Sequence, residues 1–316
     1  MLLEVDNLTI RVGTLPIVRG ISFSLARGVT LGLVGESGSG KSMTALALMQ
    51  LLPATARAAG VVKLNGEDIL EADEARLCAL RGDRMAMIFQ EPMTSLNPVH
   101  TVGSQIAEPI LLHGKQDQGA ARQTAVRLLE RVGIADARAR MRSYPHQLSG
   151  GQRQRAMIAM ALACRPDLLI ADEPTSALDV TVQAQIIDLL RGLVDETGMA
   201  LLLISHDLGV IGRIAERVIV LYAGAVMEEG PTEAVFAQRV HPYTQALFAA
   251  LPSRGARKGR RLMAVPGTVP PPDALPPGCP FHGRCPRGQD VCRDNSPPRV
   301  EAGGSTAYCF FPGRDA

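Results

Sequence analysis

Gly35-Glu36-Ser37-Gly38-Ser39-Gly40-Lys41-Ser42 fits the pattern G-x-x-x-x-G-K-[ST], and the chemistry that pattern serves is phosphate binding. Gly35, Gly38 and Gly40 let the backbone curl until successive N–H groups, that of Ser37 among them, face one centre. Lys41 adds a point charge for β- and γ-phosphates, and the Ser42 hydroxyl can ligate Mg²⁺. A second run, Leu148-Ser149-Gly150-Gly151-Gln152, places a good N-cap ahead of a stretch, 152–164, that reads as a helix with few breakers. The Ser149 hydroxyl, the Gly150 and Gly151 amides and the helix N-terminus together offer a second anion site.

The elements that must hold these groups follow from the pattern of apolar residues. The phosphate-binding run sits between an apolar stretch, 29–34, and a helical run, 43–52, the strand–loop–helix setting the pattern requires. Residues 1–34 alternate short apolar runs (2–5, 8–12, 17–25, 29–34) with turn signals and read as antiparallel strands leading into the nucleotide-binding strand. Residues 61–64 before Asn65-Gly66 and residues 85–89 read as further strands, and residues 101–141 carry a helical pattern. The continuous apolar runs 168–171 and 201–204 suit buried parallel strands. Asp172-Glu173 ends the first and His206 follows the second, which puts all three outside the carboxyl ends of parallel strands, where such sheets do chemistry. Residues 218–221 with Tyr222-Ala223-Gly224 read as a late strand and turn.

Composition narrows the class. With 316 residues and 46% apolar content the chain can bury a substantial core, one large domain with a small appendage. A net charge of +2, 3% aromatics and no Trp argue against a nucleic-acid partner. No run approaches the ~18–20 apolar residues needed to span a bilayer, and the first residues lack a basic leader. The chain is therefore expected at the cytoplasmic face of a membrane only through a partner or a surface. After residue 251, five basic residues within 254–261 precede Pro266, Pro270, Pro271, Pro272, Pro276 and Pro277, a semi-rigid linker.

Residues 148–152 closely resemble the signature of ATP-binding-cassette ATPases, and the resemblance continues in the family's order. Gln90 is similar to its Q-loop glutamine, Leu168-Leu169-Ile170-Ala171-Asp172-Glu173 to its Walker B strand, Ser176-Ala177-Leu178-Asp179 to its D-loop and His206 to its switch histidine. The resemblance implies an α/β fold: a P-loop ATPase cassette with a mainly parallel core sheet, an antiparallel β subdomain and a helical subdomain over about 91–160, within residues 1–250. A linker, 251–278, and a small Cys-rich C-terminal module, 279–316, would follow. It also implies roles. Gln90 reaches the metal or the attacking water, and Asp172 binds the Mg²⁺ shell. Glu173 polarises the water, and His206 holds it in line. Asp179 and the signature residues Ser149, Gly150, Gly151 and Gln152 contact nucleotide across a head-to-tail pair of cassettes. Many members stack adenine on an aromatic; the aligned residue here, Val12, offers no ring.

Phe89-Gln90-Glu91-Pro92-Met93-Thr94-Ser95-Leu96-Asn97-Pro98, His241-Pro242-Tyr243-Thr244 with Ala246-Leu247, and Gly278-Cys279-Pro280-Phe281-His282-Gly283-Arg284-Cys285-Pro286 resemble the oligopeptide/dipeptide permease branch. That implies an importer of peptides, with nickel, opine or glutathione as alternative cargo. Two membrane permease subunits, a second related ATPase or a self-dimer, and an extracytoplasmic solute-binding protein would be its partners. A soluble cassette ATPase, or a metal- or redox-handling protein, shares parts of the pattern, but one cassette without sustained heptads fits the first poorly.

Cys78 and Cys164 lie in helical contexts and are expected to be buried apolar residues. Cys279-x5-Cys285-x6-Cys292-x16-Cys309 form a cluster. A cytoplasmic disulfide framework is disfavoured, and the tight pairs of structural zinc sites are missing. Four thiolates on Pro-punctuated backbone fit a [4Fe–4S] cluster, with Zn²⁺ as runner-up, and the family resemblance implies a cluster here. The prolines are expected to keep this module apart from the catalytic residues.

Overall fold

Exposure alternates along Leu3–Val12 (β1) until Asp6-Asn7, where two exposed residues follow one another and the phase slips. Asn7 takes the left-handed conformation, φ 48°, and the register with Leu15–Leu25 (β2) shifts there. The two runs expected at 2–5 and 8–12 are therefore one strand carrying a bulge, the irregularity that lets one face stay apolar on both sides of the slip. Ala56–Leu64 (β4) and Glu67–Asp68 (β5) complete an antiparallel sheet ordered β2-β1-β4-β5.

The second sheet holds the site. Thr30–Val34 (β3) carries no charged side chain and is buried throughout. It pairs in parallel with Ala200–Ser205 (β8) on one side and Arg217–Tyr222 (β9) on the other. Leu168–Asp172 (β7) and Met85–Ile88 (β6) extend the parallel order past β8. Beyond β9 the sheet turns antiparallel through Ala225–Pro231 (β10), Ser305–Tyr308 (β12) and Arg299–Ala302 (β11). These strands and the helices below belong to a computed structural model that describes residues 1–90, 95–176, 178–250, 265 and 267–313. Glu91, Pro92, Met93 and Thr94 of the Q-loop run, Ala177 of the D-loop run, and the basic stretch with Pro266 lie outside the described residues.

Lys41–Leu48 (α1) follows β3, and Glu74–Leu80 (α2) follows the first sheet. Val102–Leu112 (α3), Gln118–Arg131 (α4), Ala137–Arg140 (α5) and Gly150–Ala161 (α6) make up the expected helical region. Thr101 and Asp117 cap α3 and α4, accepting from Ser104 N and Ala120 N. Val180–Thr197 (α7), Leu208–Ile214 (α8), Thr232–Gln238 (α9), Pro242–Ala249 (α10) and Asp290–Asp294 (α11) complete the helices used here. Among the described residues no helix is long and apolar enough to cross a membrane.

Two expectations are corrected. Cys78 on α2 is exposed, not buried, because it faces Glu74 on the outer side of a half-buried helix; Cys164 is buried as expected. The C-terminal residues are not held apart from the catalytic sheet. β12 pairs with β10, and the Phe281 ring packs edge-on to Tyr222 at 5.2 Å and tilted against Tyr243 at 5.1 Å. A segment of this size with few large apolar residues gains its core by sharing one.

Candidate functional site

At the end of β3 the chain curls into the phosphate loop. Gly40 caps α1 at φ 98°, and a Cβ there would stand 3.1 Å from the Ile17 carbonyl oxygen, so glycine is required by both conformation and space. Thr44 Oγ1 donates to Gly40 O at 2.9 Å and fixes the first turn. Lys41 is 5% exposed; its Nζ donates to Gly35 O (2.8 Å), Glu36 O (3.0 Å) and Ser39 Oγ (3.3 Å). Burial pulls its pKa down, while Glu173, Asp172 and Glu36 oppose that pull.

β7 and β8 deliver the acids and the histidine beside this loop. Asp172 is 3% exposed, and its Oδ1 has no hydrogen-bond partner among the described residues. Burial raises its pKa, against a hydrogen bond with Ser42. A buried carboxylate oxygen lacking a partner, beside a serine hydroxyl and a lysine, is the donor set a hard divalent cation takes. Glu173 leaves the strand at φ 47°, its N–H donating to Ile204 O at 2.9 Å. Its carboxylate gathers three groups: Gln90 Nε2 and Ser176 Oγ donate to Oε2 at 3.2 and 2.8 Å, and His206 Nδ1 stands 3.1 Å from Oε1. Burial pushes this carboxyl up, but Ser176, His206 and Lys41 outweigh it and hold it below the usual range.

The structure thus brings together Lys41, Ser42, Gln90, Asp172, Glu173 and His206. It does not bring the second anion site to them. Ser149 caps α6, its Oγ accepting from Gln152 N (3.3 Å) while Gln152 Oε1 accepts from Ser149 N (3.0 Å). Ser149 and Gly150 are exposed, and among the described residues no hydrogen bond or ion pair joins 149–152 to the phosphate loop. Asp179 is occupied as the cap of α7, accepting from Thr181 N and Val182 N at 3.0 Å each.

Two residues that sequence reasoning did not place at the site, Arg284 and Tyr243, grip the phosphate loop at Glu36. Arg284 makes a bidentate ion pair with its carboxylate, 2.6 and 3.1 Å, and donates to Tyr222 OH at 3.2 Å. Glu36 N donates to Tyr243 OH at 3.0 Å. The Cys-rich and His-Pro-Tyr segments were the available signal, but nothing in their spacing points to a loop more than two hundred residues earlier.

Cys279, Cys285, Cys292 and Cys309 line one cavity of about 10 Å³ with His241 and His282. Gly278 holds the turn beneath it, where a Cβ would lie 2.4 Å from Cys292 O. Burial pushes the Cys279 thiol up to about 12, with the other three cysteines adding to the shift. Yet no three His, Cys, Asp or Glu side chains among the described residues stand so as to hold a metal ion. The four cysteines expected to ligate a [4Fe–4S] cluster, or Zn²⁺, thus share one cavity but do not stand as a metal-binding group among the described residues.

Comparison with known proteins places these features. Residues 18–176 match the ABC transporter family, and residues 227–292 match the family described as oligopeptide/dipeptide transporter, C-terminal region. The chain is 48% identical to the oligopeptide transport ATP-binding protein OppD of Salmonella typhimurium, over 99% of this chain and 94% of that one. It is 49% identical to the dipeptide transport ATP-binding protein DppD of Escherichia coli, over 100% and 98%. Among solved structures it resembles the dimeric bacterial ABC transporter cassette MJ0796, with TM-score 0.65 and 28% identity over 73% of this chain and 98% of that one. On these matches the chain belongs to the ABC transporter family, within its branch of oligopeptide and dipeptide transport ATP-binding proteins.

Proposed function

We propose that this chain is the ATP-hydrolysing subunit of a peptide importer, working at the cytoplasmic face of the membrane by closing over ATP with a second cassette. The observation that carries it is the Glu173 carboxylate, held below its ordinary pKa between Gln90, Ser176 and His206 beside Lys41. Phosphoryl transfer to water needs positioning and charge. The loop amides of Gly35, Ser37, Gly38 and Gly40 with Lys41 hold the phosphates. Ser42 and Asp172, with Gln90, would hold Mg²⁺, which supplies charge for the phosphate oxygens when bound. Glu173 accepts the hydrogen bond of the attacking water, and His206 keeps that water and the γ-phosphate in line. Ser149, Gly150, Gly151 and Gln152, with Asp179 beside them, serve the partner's nucleotide.

Relatives are peptide transport ATP-binding proteins by name, which favours peptides over nickel, opines or glutathione as cargo. The pathway then lies in two membrane permease subunits, and an extracytoplasmic binding protein selects the peptide. A groove of about 890 Å³ between α3, α4 and α5, lined by Ala107, Leu111, Val126, Arg138 and Met141, suits a cytoplasmic segment of a permease subunit. For the four cysteines, a [4Fe–4S] cluster with Zn²⁺ as runner-up rests on their number and spacing in the sequence alone.

The test is Glu173→Gln, which removes the acceptor and keeps the size. Hydrolysis by the assembled transporter should be lost while ATP binding persists. Near wild-type turnover would sink the assignment. For the cysteines, protein isolated without oxygen should carry about four irons per chain; one zinc per chain would refute the cluster.

A further inference from the structure

We infer that Arg284, from the C-terminal segment, is a positioning residue for the phosphate loop: it ties down the Glu36 carboxylate and cancels its charge, so that Lys41 is left for the phosphates of a nucleotide. The inference rests on the nucleotide site proposed above and adds a residue to it.

The phosphate loop carries a liability of its own. It gathers amides and Lys41 for anions, yet the residue after its first glycine is an acid, Glu36. Glu36 and Lys41 are neighbours, because Lys41 Nζ donates to Glu36 O at 3.0 Å. Burial pulls the Lys41 pKa down, and Glu173, Asp172 and Glu36 oppose that pull, so the Glu36 carboxylate is felt at the ammonium. A carboxylate free to turn on this residue would repel bound phosphates and compete with them for Lys41.

The structure keeps it from turning. Arg284 takes both carboxylate oxygens, at 2.6 and 3.1 Å, fork to fork. The guanidinium is itself fixed: it donates to Tyr222 OH (3.2 Å), Val265 O (3.3 Å) and Gly267 O (3.4 Å). It also stands 5.6 and 6.0 Å from the Tyr222 and Phe281 ring centroids. The Arg284 side chain is only 6% exposed, so solvent screens its end of the pair little. Burial works against its charge, but the bonds to Glu36 and Tyr222 outweigh that. The Glu36 backbone is held separately, its N–H donating to Tyr243 OH at 3.0 Å. Tyr243 thus fixes where the loop runs, and Arg284 fixes where its acid points. A buried ion pair is weak evidence for stability; this one removes a negative charge from an anion-binding loop.

The test titrates ATP and ADP, in Mg²⁺ buffer, into the full chain and its variants. Arg284→Met removes the cation and keeps much of the length. It should bind ATP about tenfold more weakly, the scale of one unit-charge repulsion at a partly wet site. ADP should lose less, since the γ-phosphate adds charge beside Lys41. Glu36→Gln removes the acid itself and should bind ATP at least as tightly as wild type. The double variant, Glu36→Gln with Arg284→Met, should recover most of what Arg284→Met loses, because no charge is left to cancel. An arginine that only supports the C-terminal fold predicts otherwise: ATP and ADP weaken alike, and the double variant stays as weak as Arg284→Met. Either result overturns the inference. If Arg284→Met does not fold, Glu36→Gln decides, and ATP binding weaker than wild type would show that the loop needs the acid and overturn the inference. A wild-type chain that takes neither ATP nor ADP would overturn the nucleotide site itself.

Discussion

Glu173 sits in left-handed backbone, φ 47°, immediately after a buried strand. A non-glycine residue there costs on the order of 1 kcal/mol or more, and it persists only because surrounding contacts over-determine it. Here the N–H bond to Ile204 and the carboxylate bonds to Gln90 and Ser176 do so. The turn swings the side chain back toward Lys41, which strand alternation alone would not do. Lys41 is buried with backbone carbonyls as its acceptors, an arrangement that makes sense only with an anion to come. Lys41→Ala should therefore abolish ATP binding itself, read by titration of the isolated chain; retained affinity would contradict the loop's role. Val12, at the end of β1 opposite Leu15 and Ala56, offers adenine no ring. Val12→Tyr should tighten ATP binding by about 1 kcal/mol, the scale of aromatic stacking, and an unchanged dissociation constant would place adenine elsewhere. Gln90, Asp172, Glu173 and His206 were legible because strand ends follow apolar runs and their order is shared with a family. Ser176 as a hydrogen-bond donor, and Arg284 with Tyr243, were not. Arg284 and its partner Glu36 lie 248 positions apart, and no local pattern encodes a contact at that range.

At the level of elements, Asp167 ties the two sheets together. It precedes β7 and accepts from Arg27 after β2 (2.5 Å), from Asn65 in the β4–β5 turn (3.3 Å) and from Arg84 before β6 (3.3 Å). The hydrogen bond from Arg27 is the main cause that holds its carboxyl below the usual range. A carboxylate whose folded pKa is lowered stabilises the fold above its unfolded pKa, and that stabilisation drains away as pH falls through the folded value. Because the Arg27 and Arg84 side chains are more than half exposed, the contribution is discounted to about 1 kcal/mol. Asp167→Asn should lower the urea midpoint at pH 7 accordingly, and that deficit should shrink as pH falls below the ordinary carboxylate range. A deficit that stays constant as pH falls would assign the loss to packing. The parallel strands were legible as continuous apolar runs, the helices within 101–141 as a helical pattern, and the helix after Ser149 from its cap; Val180–Thr197 was not read. β1 as one bulged strand was not, since a bulge breaks the alternation that marks a strand. β11 and β12 were missed because an edge hairpin of four-residue strands, completed only by pairing with β10, carries almost no periodicity.

On the scale of the whole molecule, the phosphate loop and the signature helix of one chain do not meet. The N-terminus of α6 is exposed, capped by its own Ser149–Gln152 pair, and its glycines neighbour Leu178 and Val182 near the start of α7. A helix N-terminus with free amides and an exposed hydroxyl, built to receive an anion and left facing outward, finds its use when a second cassette presents a nucleotide to it. On the proposed pairing the site would be complete only in pairs, and a substitution in one chain would be felt in the other. Ser149→Arg places a bulky cation where the partner's γ-phosphate would lie and removes the cap. Nucleotide binding by the isolated chain should stay within about twofold of wild type, since no residue of the phosphate loop is touched, and a lost cap costs only ~1 kcal/mol of stability. In the assembled transporter the same substitution should abolish hydrolysis at the partner's phosphate loop. Mixing the variant chain with a Lys41→Ala chain separates the two effects. If the sites act across the pair, that mixed dimer keeps one loop and one signature intact at the same interface and retains about half the sites. If signature and loop act within one chain, every site in the mixed dimer is broken and hydrolysis falls to background.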